Sequence, residues 1–285
     1  MGQLHVIPGQ QQRKISKILI TLFLSVLGIG MIVPFAWMIS TSMKVEMDVF
    51  KFPIEWIPKR MRVIENYREV WMGQNPFALY YLNSIKVTVV TTAATLLIAM
   101  LGAYGFTRIK FAGRDKLFLL YIATLVIPEQ VTLLPRFLIF KWTGIFDTHI
   151  CLIFNSMFSV TAVFMLRQFM LAIPVDFSES ARIDGAGHLQ IFWRIIVPLS
   201  KPAIATLGIL KFIWTWNDYQ NPLVFLTDSK KYTIQLGVKM FSDAYGDYYS
   251  LIMAAAVSAT IPLFIIFFIG QKQIIEGITL GGLKG

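Results

Sequence analysis

Six long apolar runs constrain the fold of this sequence more than any other feature. A helix that crosses the hydrocarbon of a bilayer needs about 20 mostly apolar residues, and each run reaches that length. The predicted spans are 15–40, 82–106, 117–140, 149–169, 202–226 and 250–270. Only 15% of the 285 residues are charged, against about 25% in a typical soluble domain. The chain is therefore predicted to be an all-α, polytopic membrane protein with six transmembrane helices.

The positions of the basic residues predict how these spans are oriented. Short cytoplasmic loops of membrane proteins are enriched in Lys and Arg, and here the enrichment falls on alternate loops. The residues concerned are Arg13, Lys14, Lys17, Arg108, Lys110, Arg114, Lys116, Arg167, Arg182, Arg194, Lys201, Lys272 and Lys284. We therefore expect a cytoplasmic N-terminus over 1–14, a transmembrane domain over 15–270 and a cytoplasmic tail over 271–285.

The segment between the first two spans, residues 41–81, is the longest loop that this orientation places outside the cell. It is mixed in charge and contains Trp56, Tyr67 and Trp71. Aromatic residues gather at membrane interfaces, so short interfacial helices are expected here. Two interpretations remain open: a solvated loop anchored by its aromatic residues, and a docking surface.

Several kinds of site are disfavoured by what the sequence contains. Cys151 is the one cysteine, so no intrachain disulfide can form, and His5, His149 and His188 lie too far apart to suggest a metal cluster. The G-x-x-x-x-G-K-[ST] pattern that cradles nucleotide phosphates does not occur. The net charge of +10 is spread over membrane loops and does not indicate nucleic-acid binding. We therefore expect no enzymatic activity, metal or cofactor in this chain.

The loop over 171–201, called the polar loop below, is the most polar stretch in the second half of the chain. Asp176 precedes Glu179 by three residues, which is the spacing of a capping box. A short helix is therefore expected over 177–184. A structured loop of this length is more than a connection between two spans requires.

The rest of the polar loop predicts a second short helix. Gly185 and Gly187 are expected to break the first helix, and apolar residues over 189–196 suit one buried helix face. Pro198 is expected to end that second helix. Two interpretations of this helix–turn–helix remain open: a docking element for another protein, and an amphipathic hairpin that lies on the membrane.

The polar loop also contains a longer pattern, E-S-A, three residues, G, nine residues, then I-I-V-P, which runs from Glu179 to Pro198. It resembles the E-A-A-x3-G-x9-I-x-L-P motif of the membrane subunits of binding-protein-dependent ABC importers. Ser180 and Val197 depart from the motif, and both replacements keep the small or apolar character of the position. Four further stretches resemble the carbohydrate branch of that family, specifically its MalG-like permease subunit: 34–44, 127–140, 214–226 and 277–285.

The resemblance implies a MetI-like permease core that forms half of the translocation pathway of an ATP-driven carbohydrate importer, with an oligosaccharide as the expected solute. It also implies a set of partners: a second, MalF-like permease, two copies of an ATPase subunit that binds ATP and Mg²⁺, an extracytoplasmic solute-binding protein, and the lipid of a bacterial cytoplasmic membrane.

The resemblance further implies which residues meet the ATPase. In such importers the polar loop docks into the ATPase subunit, and the matching positions here are Glu179, Ser180, Ala181, Asp184, Gly185, Ile195 and Pro198. The C-terminal tail is expected between the ATPase subunits, where Gly277, Gly281 and Gly282 would permit close passage of the chain. A frayed terminus is the alternative for the tail.

Polar residues inside the predicted spans mark another candidate site, because ionisable groups at membrane depth usually face a cavity or a partner. These residues lie in the third and fifth spans: Glu129, Arg136, Lys211, Trp214, Trp216, Asn217, Asp218 and Tyr219. Aromatic faces stack on sugars, and carboxylates and amides bind hydroxyl groups, so the set is a candidate for lining a pathway. Packing against the partner permease is the alternative.

Other functions also remain open. The same importer architecture could carry another solute such as glycerol phosphate, for which Arg136 and Lys211 would supply positive charge. An ion-driven secondary transporter would show pseudo-symmetric halves with matching broken helices, which the sequence does not display. A receptor or structural membrane protein would leave the organisation of the polar loop unexplained.

Overall fold

Helices make up nearly all of the regular structure in the computed structural model, which describes residues 8–243 and 246–282, with side chains over 13–242 and 246–273. The helices are α1 (Pro8–Ser42), α2 (Val63–Met72), α3 (Phe77–Arg108), α4 (Arg114–Ala123), α5 (Glu129–Trp142), α6 (His149–Met157), α7 (Val160–Leu171), α8 (Asp176–Ile183), α9 (His188–Ile191), α10 (Val197–Leu199), α11 (Lys201–Trp216), α12 (Gln220–Phe225), α13 (Ile234–Lys239) and α14 (Tyr249–Gly282). A short antiparallel pair joins β1 (Ser242–Asp243) to β2 (Gly246–Asp247). The prediction of an all-α protein is confirmed.

The chain divides into two units. The first comprises the chain up to Gly73 together with Phe241–Ser258, and the second comprises Gln74–Met240 together with the chain from Ala259. The second unit contains α3 to α13, which include the polar loop and most of the polar residues that the sequence places inside spans.

In the first unit, the segment that follows α1 is tied down by a side chain. The carboxylate of Glu46 accepts hydrogen bonds from the backbone N–H groups of Tyr249 and Ser250 at 2.9 and 2.8 Å. It thereby caps the first turn of α14, where a negative charge is favourable. The short helix expected within 41–81 is present as α2, and its place at a membrane interface stays a prediction.

Three helices, α1, α3 and α14, are each long and apolar enough to cross a bilayer as one segment. Three further candidates are pairs of helices bent at a short break, by 97° at 126–129, 41° at 157–160 and 76° at 199–201. Counting each bent pair as one span gives six, the number that the sequence predicts. The last bent pair, however, begins at His188 within the polar loop and ends at Trp216, whereas the predicted fifth span is 202–226. The third, fourth and fifth predicted spans are thus interrupted, whereas the first, second and sixth each fall within one helix.

Two of these breaks have a local chemical cause. Pro128 lacks an N–H and adopts an extended conformation directly before α5. Ser159 is the N-cap of α7, and its hydroxyl accepts a hydrogen bond from the N–H of Ala162 at 3.2 Å. A further interruption lies within the fifth predicted span, 202–226, where α11 ends at Trp216 and α12 begins at Gln220. Caps and prolines therefore interrupt runs that hydrophobicity alone would continue.

The second unit is built around α3, which contacts α6, α7, α11 and α13. Small or polar side chains such as Thr91 and Ala99 are buried along it, and residues of this size let neighbouring helices approach closely. Near its start, the Asn83 amide donates hydrogen bonds to the carbonyls of Lys230 and Tyr232 at 2.9 and 3.0 Å. The segment after α12 is therefore held against the beginning of α3.

The turn between α5 and α6 is fastened to that same segment by Asp147. Its φ of 56° is a left-handed conformation that Asp adopts more readily than most residues. Its Oδ1 accepts from the N–H groups of Thr227 and Asp228 at 2.8 and 3.1 Å, and its Oδ2 accepts from Lys231 Nζ at 2.8 Å. Burial alone would raise the pKa of Asp147, but these hydrogen bonds lower it to about 2.

We expect Asp147→Asn to lower the stability of the detergent-solubilised protein at neutral pH. The folded carboxylate stays charged where the unfolded chain, with an ordinary pKa of about 3.9, already binds a proton. Its stabilisation is therefore complete above about pH 4 and is lost as the pH falls towards 2. Loss of the charged acceptor is expected to cost about 1–2 kcal/mol at pH 7. Thermal melts between pH 7 and pH 3 measure both effects.

Asp228→Asn is the matched control for this experiment, because the Asp228 carboxylate lies 3.6 Å from the same ammonium group, against 2.8 Å for Asp147. Its melting temperature is expected to fall less than that of the Asp147 variant. Identical melting curves for the two variants at every pH would contradict the role assigned to Asp147.

Candidate functional site

A polar pocket of about 420 Å³ lies where three helix breaks of the second unit meet. Glu129 is the first residue of α5, Ser159 lies between α6 and α7, and Asp218 lies between α11 and α12. The full lining is Glu129, Arg136, Asn155, Ser156, Phe158, Ser159, Lys211, Trp214, Thr215, Asp218 and Asn221. Non-helical backbone at membrane depth is tolerated where it lines a cavity, and this pocket provides one.

Arg136 joins α5 to α6 across the pocket. Its Nη1 donates to Asn155 Oδ1 at 2.6 Å and to Glu129 Oε1 at 3.3 Å. Its Nη2 donates to the backbone carbonyl of Glu129 at 3.0 Å. The sequence places Glu129 and Arg136 on one face, seven residues apart, and the structure brings them together as an ion pair.

The hydrogen bonds continue from Asn155 to α12. Asn155 Nδ2 donates to Asn221 Oδ1 at 3.1 Å. Asn221 donates in turn to both oxygens of Asp218, from its amide side chain at 2.9 Å and from its backbone at 3.1 Å. On α11, Lys211 Nζ donates to the carbonyl of Ser156 at 2.7 Å. These hydrogen bonds connect α5, α6, α11 and α12 around the pocket.

Five of the eight residues predicted to line a pathway do line the pocket: Glu129, Arg136, Lys211, Trp214 and Asp218. Trp216, Asn217 and Tyr219 are not among the lining residues. Trp216 is buried, and its indole N–H donates to the carbonyl of Ala259 at 3.0 Å. Helical spacing explains the difference. Trp214 and Asp218 are four residues apart and lie on one side of the chain at the end of α11, whereas Trp216 lies on a different side.

The charged and aromatic residues within the predicted spans do not point to the pocket residues on α6. Asn155 and Ser156 stand together in an otherwise apolar stretch, ICLIFNSMF, and that interruption was the available signal. Thr215 and Asn221 lie four and three residues beyond Lys211 and Asp218, so helical spacing places them beside predicted residues. The pocket contains two cations and two carboxylates, so its formal charge is zero.

The first helix of the polar loop, α8, lies within one residue of its predicted bounds, but the capping box is absent. The N-cap residue is Val175, which makes no side-chain cap bond. Val175 has helical dihedral angles, so Asp176 falls in the first turn and cannot act as the cap. Its negative charge there still favours the helix N-terminus.

The turn after α8 explains two positions of the E-S-A…G pattern. Gly185 has a φ of 83°. The N–H groups of Gly185 and Ala186 donate to the carbonyls of Arg182 and Ala181 at 3.0 and 2.8 Å. This is a Schellman C-cap, which favours glycine at its left-handed position. Ala181 and Ala186 both pack against the main apolar core of the second unit, so small side chains suit both positions.

The second part of the polar loop departs from the prediction. The expected stop at Pro198 is wrong, because the chain stays helical to Leu199 and breaks at Ser200. A π-helical turn over Phe192–Ile196 precedes the proline, and the N–H of Val197 donates to the carbonyl of Phe192. This wider winding shifts the hydrogen-bond register, so the missing N–H of Pro198 does not end the helix.

The predicted docking residues fall into two groups. Glu179, Ser180, Asp184, Gly185 and Pro198 are exposed, whereas Ala181 and Ile195 are half-buried and pack against the core. Ile183 and Leu189 add apolar surface that is 87% and 71% exposed. Arg182 and Arg194 are exposed as well, so the polar loop presents a surface of both charge signs and apolar side chains on a firmly packed base.

The last two turns of α3 hold the polar loop in place. Buried Arg108 donates from Nη2 to the carbonyls of Met170 and Ile173 at 3.0 and 2.6 Å. Tyr104 donates from its hydroxyl to the carbonyl of His188 at 3.1 Å, and its ring meets that of Phe192 edge-on. The beginning and the middle of the polar loop are thus both attached to one helix.

The tail residues predicted to touch the ATPase lie near the end of α14, whose backbone is helical through Gly277, Gly281 and Gly282. Residues 283–285 lie outside the described part of the chain. A contact between this tail and a partner stays a prediction.

Comparisons with known proteins show which family this sequence matches. The family model described as "Binding-protein-dependent transport system inner membrane component" matches residues 94–279. The chain is 30% identical to the arabinooligosaccharides transport system permease protein AraQ of Bacillus subtilis, covering 96% of this chain and 98% of that protein. It is 28% identical to the lactose transport system permease protein LacG of Rhizobium radiobacter, covering 96% and 98%.

The fold is also similar to a solved structure. A chain from a bacterial ABC transporter involved in the import of the acidic polysaccharide alginate superposes with a TM-score of 0.82. The match covers 92% of this chain and 97% of that chain at 24% sequence identity. At this level of identity the likeness supports the fold.

We expect Arg108→Gln to loosen the start of the polar loop, because two carbonyls lose a charged donor. Hydrogen exchange of the amides over 171–188 is expected to accelerate about tenfold, which corresponds to about 1.4 kcal/mol of local stability. Tyr104→Phe removes only the hydroxyl and is expected to have a smaller effect. Exposed Arg182→Gln is the control, and equal exchange in all three variants would rule out the attachment.

Proposed function

Since the chain belongs to the family of binding-protein-dependent transport system inner membrane components, we propose that it is a permease subunit of an ATP-driven importer that takes up an oligosaccharide. The two relatives described above are named for the transport of arabinooligosaccharides and lactose. A neutral carbohydrate is a suitable solute for this pocket, because the pocket lining is polar and its formal charge is zero.

The observation that carries the proposal is the combination of pocket and polar loop within one unit. The pocket offers hydrogen-bonding groups where predicted spans are broken, and Arg136, Asn221 and Lys211 hydrogen-bond to polar groups near those breaks. The polar loop offers an exposed surface on a firmly packed base, attached to α3 through Arg108. A permease that is driven by another subunit needs a pathway for the solute and a contact surface through which the other subunit moves it.

The proposed mechanism moves the polar loop. ATP binding closes a partner ATPase dimer, and the contact formed by Glu179, Ala181, Asp184 and Gly185 carries that motion into the permease. Since α11 follows the polar loop directly, its pocket face moves with it. The pocket then faces one side of the membrane in one state and the other side in the second state.

The mechanism requires several partners. We propose a second permease subunit that completes the pathway, two copies of an ATPase subunit that bind ATP and Mg²⁺, and a solute-binding protein outside the cell. The location proposed for the complex is a bacterial cytoplasmic membrane, with both termini of this chain in the cytoplasm. The loop charges described above support that orientation through the enrichment of Lys and Arg in cytoplasmic loops.

An anionic solute such as glycerol phosphate fits the pocket less well. Arg136 is paired with Glu129, and Lys211 donates to a carbonyl while Asp218 shares the lining. A site for a phosphate would need positive charge in excess of the carboxylates. The balanced lining favours a neutral solute that bonds through hydroxyl groups.

Purification of the tagged full-length chain from its native membrane in mild detergent tests the assembly. We expect a subunit with a phosphate-binding loop and a second multi-span permease to co-purify, because the polar loop surface needs a partner. Mass spectrometry identifies both. Recovery of this chain alone, stable and monodisperse, would contradict the proposed function.

We expect Glu179→Arg to uncouple the importer. The substitution replaces a negative charge at the proposed contact by a positive one. That charge then faces either a like charge or no counter-charge on the partner subunit, which costs several kcal/mol. Uptake by the reconstituted importer is expected to fall at least about tenfold, since about 1.4 kcal/mol is sufficient for that loss. Uptake and ATP hydrolysis are measured together in proteoliposomes.

Glu65→Arg is the matched control, because it makes the same charge reversal at an exposed position in α2, outside the polar loop. Uptake per ATP hydrolysed by this control is expected to stay near the wild-type value, because α2 lies outside the proposed contact with the ATPase. Normal uptake by the Glu179 variant would show that the contact lies elsewhere on the chain.

A further inference from the structure

We infer that the pocket of this chain itself binds one sugar ring of the transported oligosaccharide, with the ring on the face of Trp214 and its hydroxyl groups on Lys211 and Glu129. The inference rests on the proposed function, and it assigns a solute subsite to this subunit in addition to any that its partner permease holds. Its basis is the difference between two neighbouring tryptophans and the unused hydrogen-bonding capacity of the pocket.

Trp214 and Trp216 lie on the same helix, but their environments are opposite. Trp216 is 1% exposed, stacks on Phe212, and donates its indole N–H to Ala259. Trp214 is 55% exposed and lines the pocket. Tryptophan normally finds an acceptor for its N–H when it leaves water. A sugar offers both an apolar ring face for the indole and hydroxyl acceptors for its N–H.

Two charged groups of the pocket keep capacity for a ligand. Lys211 has three N–H donors, and its hydrogen bond to the Ser156 carbonyl uses one of them. Glu129 receives Arg136 at Oε1, which leaves Oε2 available, and its side chain is 56% exposed. A hydroxyl group donates and accepts at once, so it satisfies an ammonium and a carboxylate together.

Asp218 has a different role in this site. Both of its carboxylate oxygens accept from Asn221, at 2.9 and 3.1 Å. It therefore fixes the start of α12 and the chain of hydrogen bonds that runs to Asn155. Asp218 is a positioning residue, which keeps the surface around Trp214 in shape without using its own oxygens on the ligand.

The size and charge of the pocket define the ligand class. Sites for small ligands commonly have volumes of about 300–1,000 Å³, and about 420 Å³ is at the lower end of that range. The pocket thus accommodates a short part of an oligosaccharide, and the rest of the chain lies outside it. Two cations balance two carboxylates in the lining, so a neutral sugar is favoured over a uronic acid.

Trp214→Ala tests the subsite in the assembled importer with its ATPase and binding protein, reconstituted in proteoliposomes. The probes are radiolabelled arabinotriose, maltotriose and galactotriose, with trigalacturonate as the anionic comparison. For the neutral probe that the wild type takes up, direct binding to the importer without the binding protein is expected to weaken about tenfold. Uptake per ATP hydrolysed is expected to fall with it. Trp214→Phe keeps an aromatic face and is expected to recover part of the loss.

Trp142→Ala is the matched control, because Trp142 is 90% exposed and is absent from the pocket lining. Binding and uptake by this control are expected to equal those of the wild type. If the Trp214 variants bind and transport as the wild type does, the subsite is wrong while the importer remains. If trigalacturonate binds as tightly as the neutral probe, the assignment to neutral sugars is wrong. If the wild type takes up none of the neutral probes, the proposed function itself fails.

Discussion

The packing of α3 is the constraint on which the second unit depends. Its 32 residues extend for about 48 Å at about 1.5 Å per residue, which is long enough to cross a bilayer. Arg108 at its end binds the carbonyls where the polar loop begins. Asn83 near its start binds the carbonyls of the segment after α12. One long helix therefore positions the groups at both ends of the unit.

Breaks in the neighbouring spans are tolerated because the polar groups that they release are satisfied by protein. The last carbonyls of a helix have no partner within it, and near the end of α6 the carbonyl of Ser156 accepts from Lys211. At the start of α12, the N–H of Asn221 donates to Asp218. The same residues that hold these helix ends also make the pocket polar.

Hydrophobic length predicted six spans, which is the number reached when each bent pair counts as one span, and helical spacing predicted that Glu129 and Arg136 share a face. The breaks could not be predicted in the same way. A proline or a serine in an apolar run ends a helix only where the exposed backbone groups find other hydrogen-bonding partners. At the start of α7, the hydroxyl of Ser159 is such a partner, because it accepts from a backbone N–H group as the N-cap. Asp176 illustrates the opposite error, since a capping residue has no effect as a cap when the helix begins one residue earlier.

The connection between the polar loop and the pocket is covalent and short. The polar loop breaks at Ser200 with a bend of 76°, and α11 follows at once. Lys211 and Trp214 lie about three to four turns further along that helix. Gly208 lets α11 approach α3 closely, because a Cβ there would lie 3.3 Å from the side chain of Leu96. These contacts and the direct chain connection join the polar loop, α3 and α11. In the proposed mechanism, a displacement of the polar loop would therefore move the pocket face of α11.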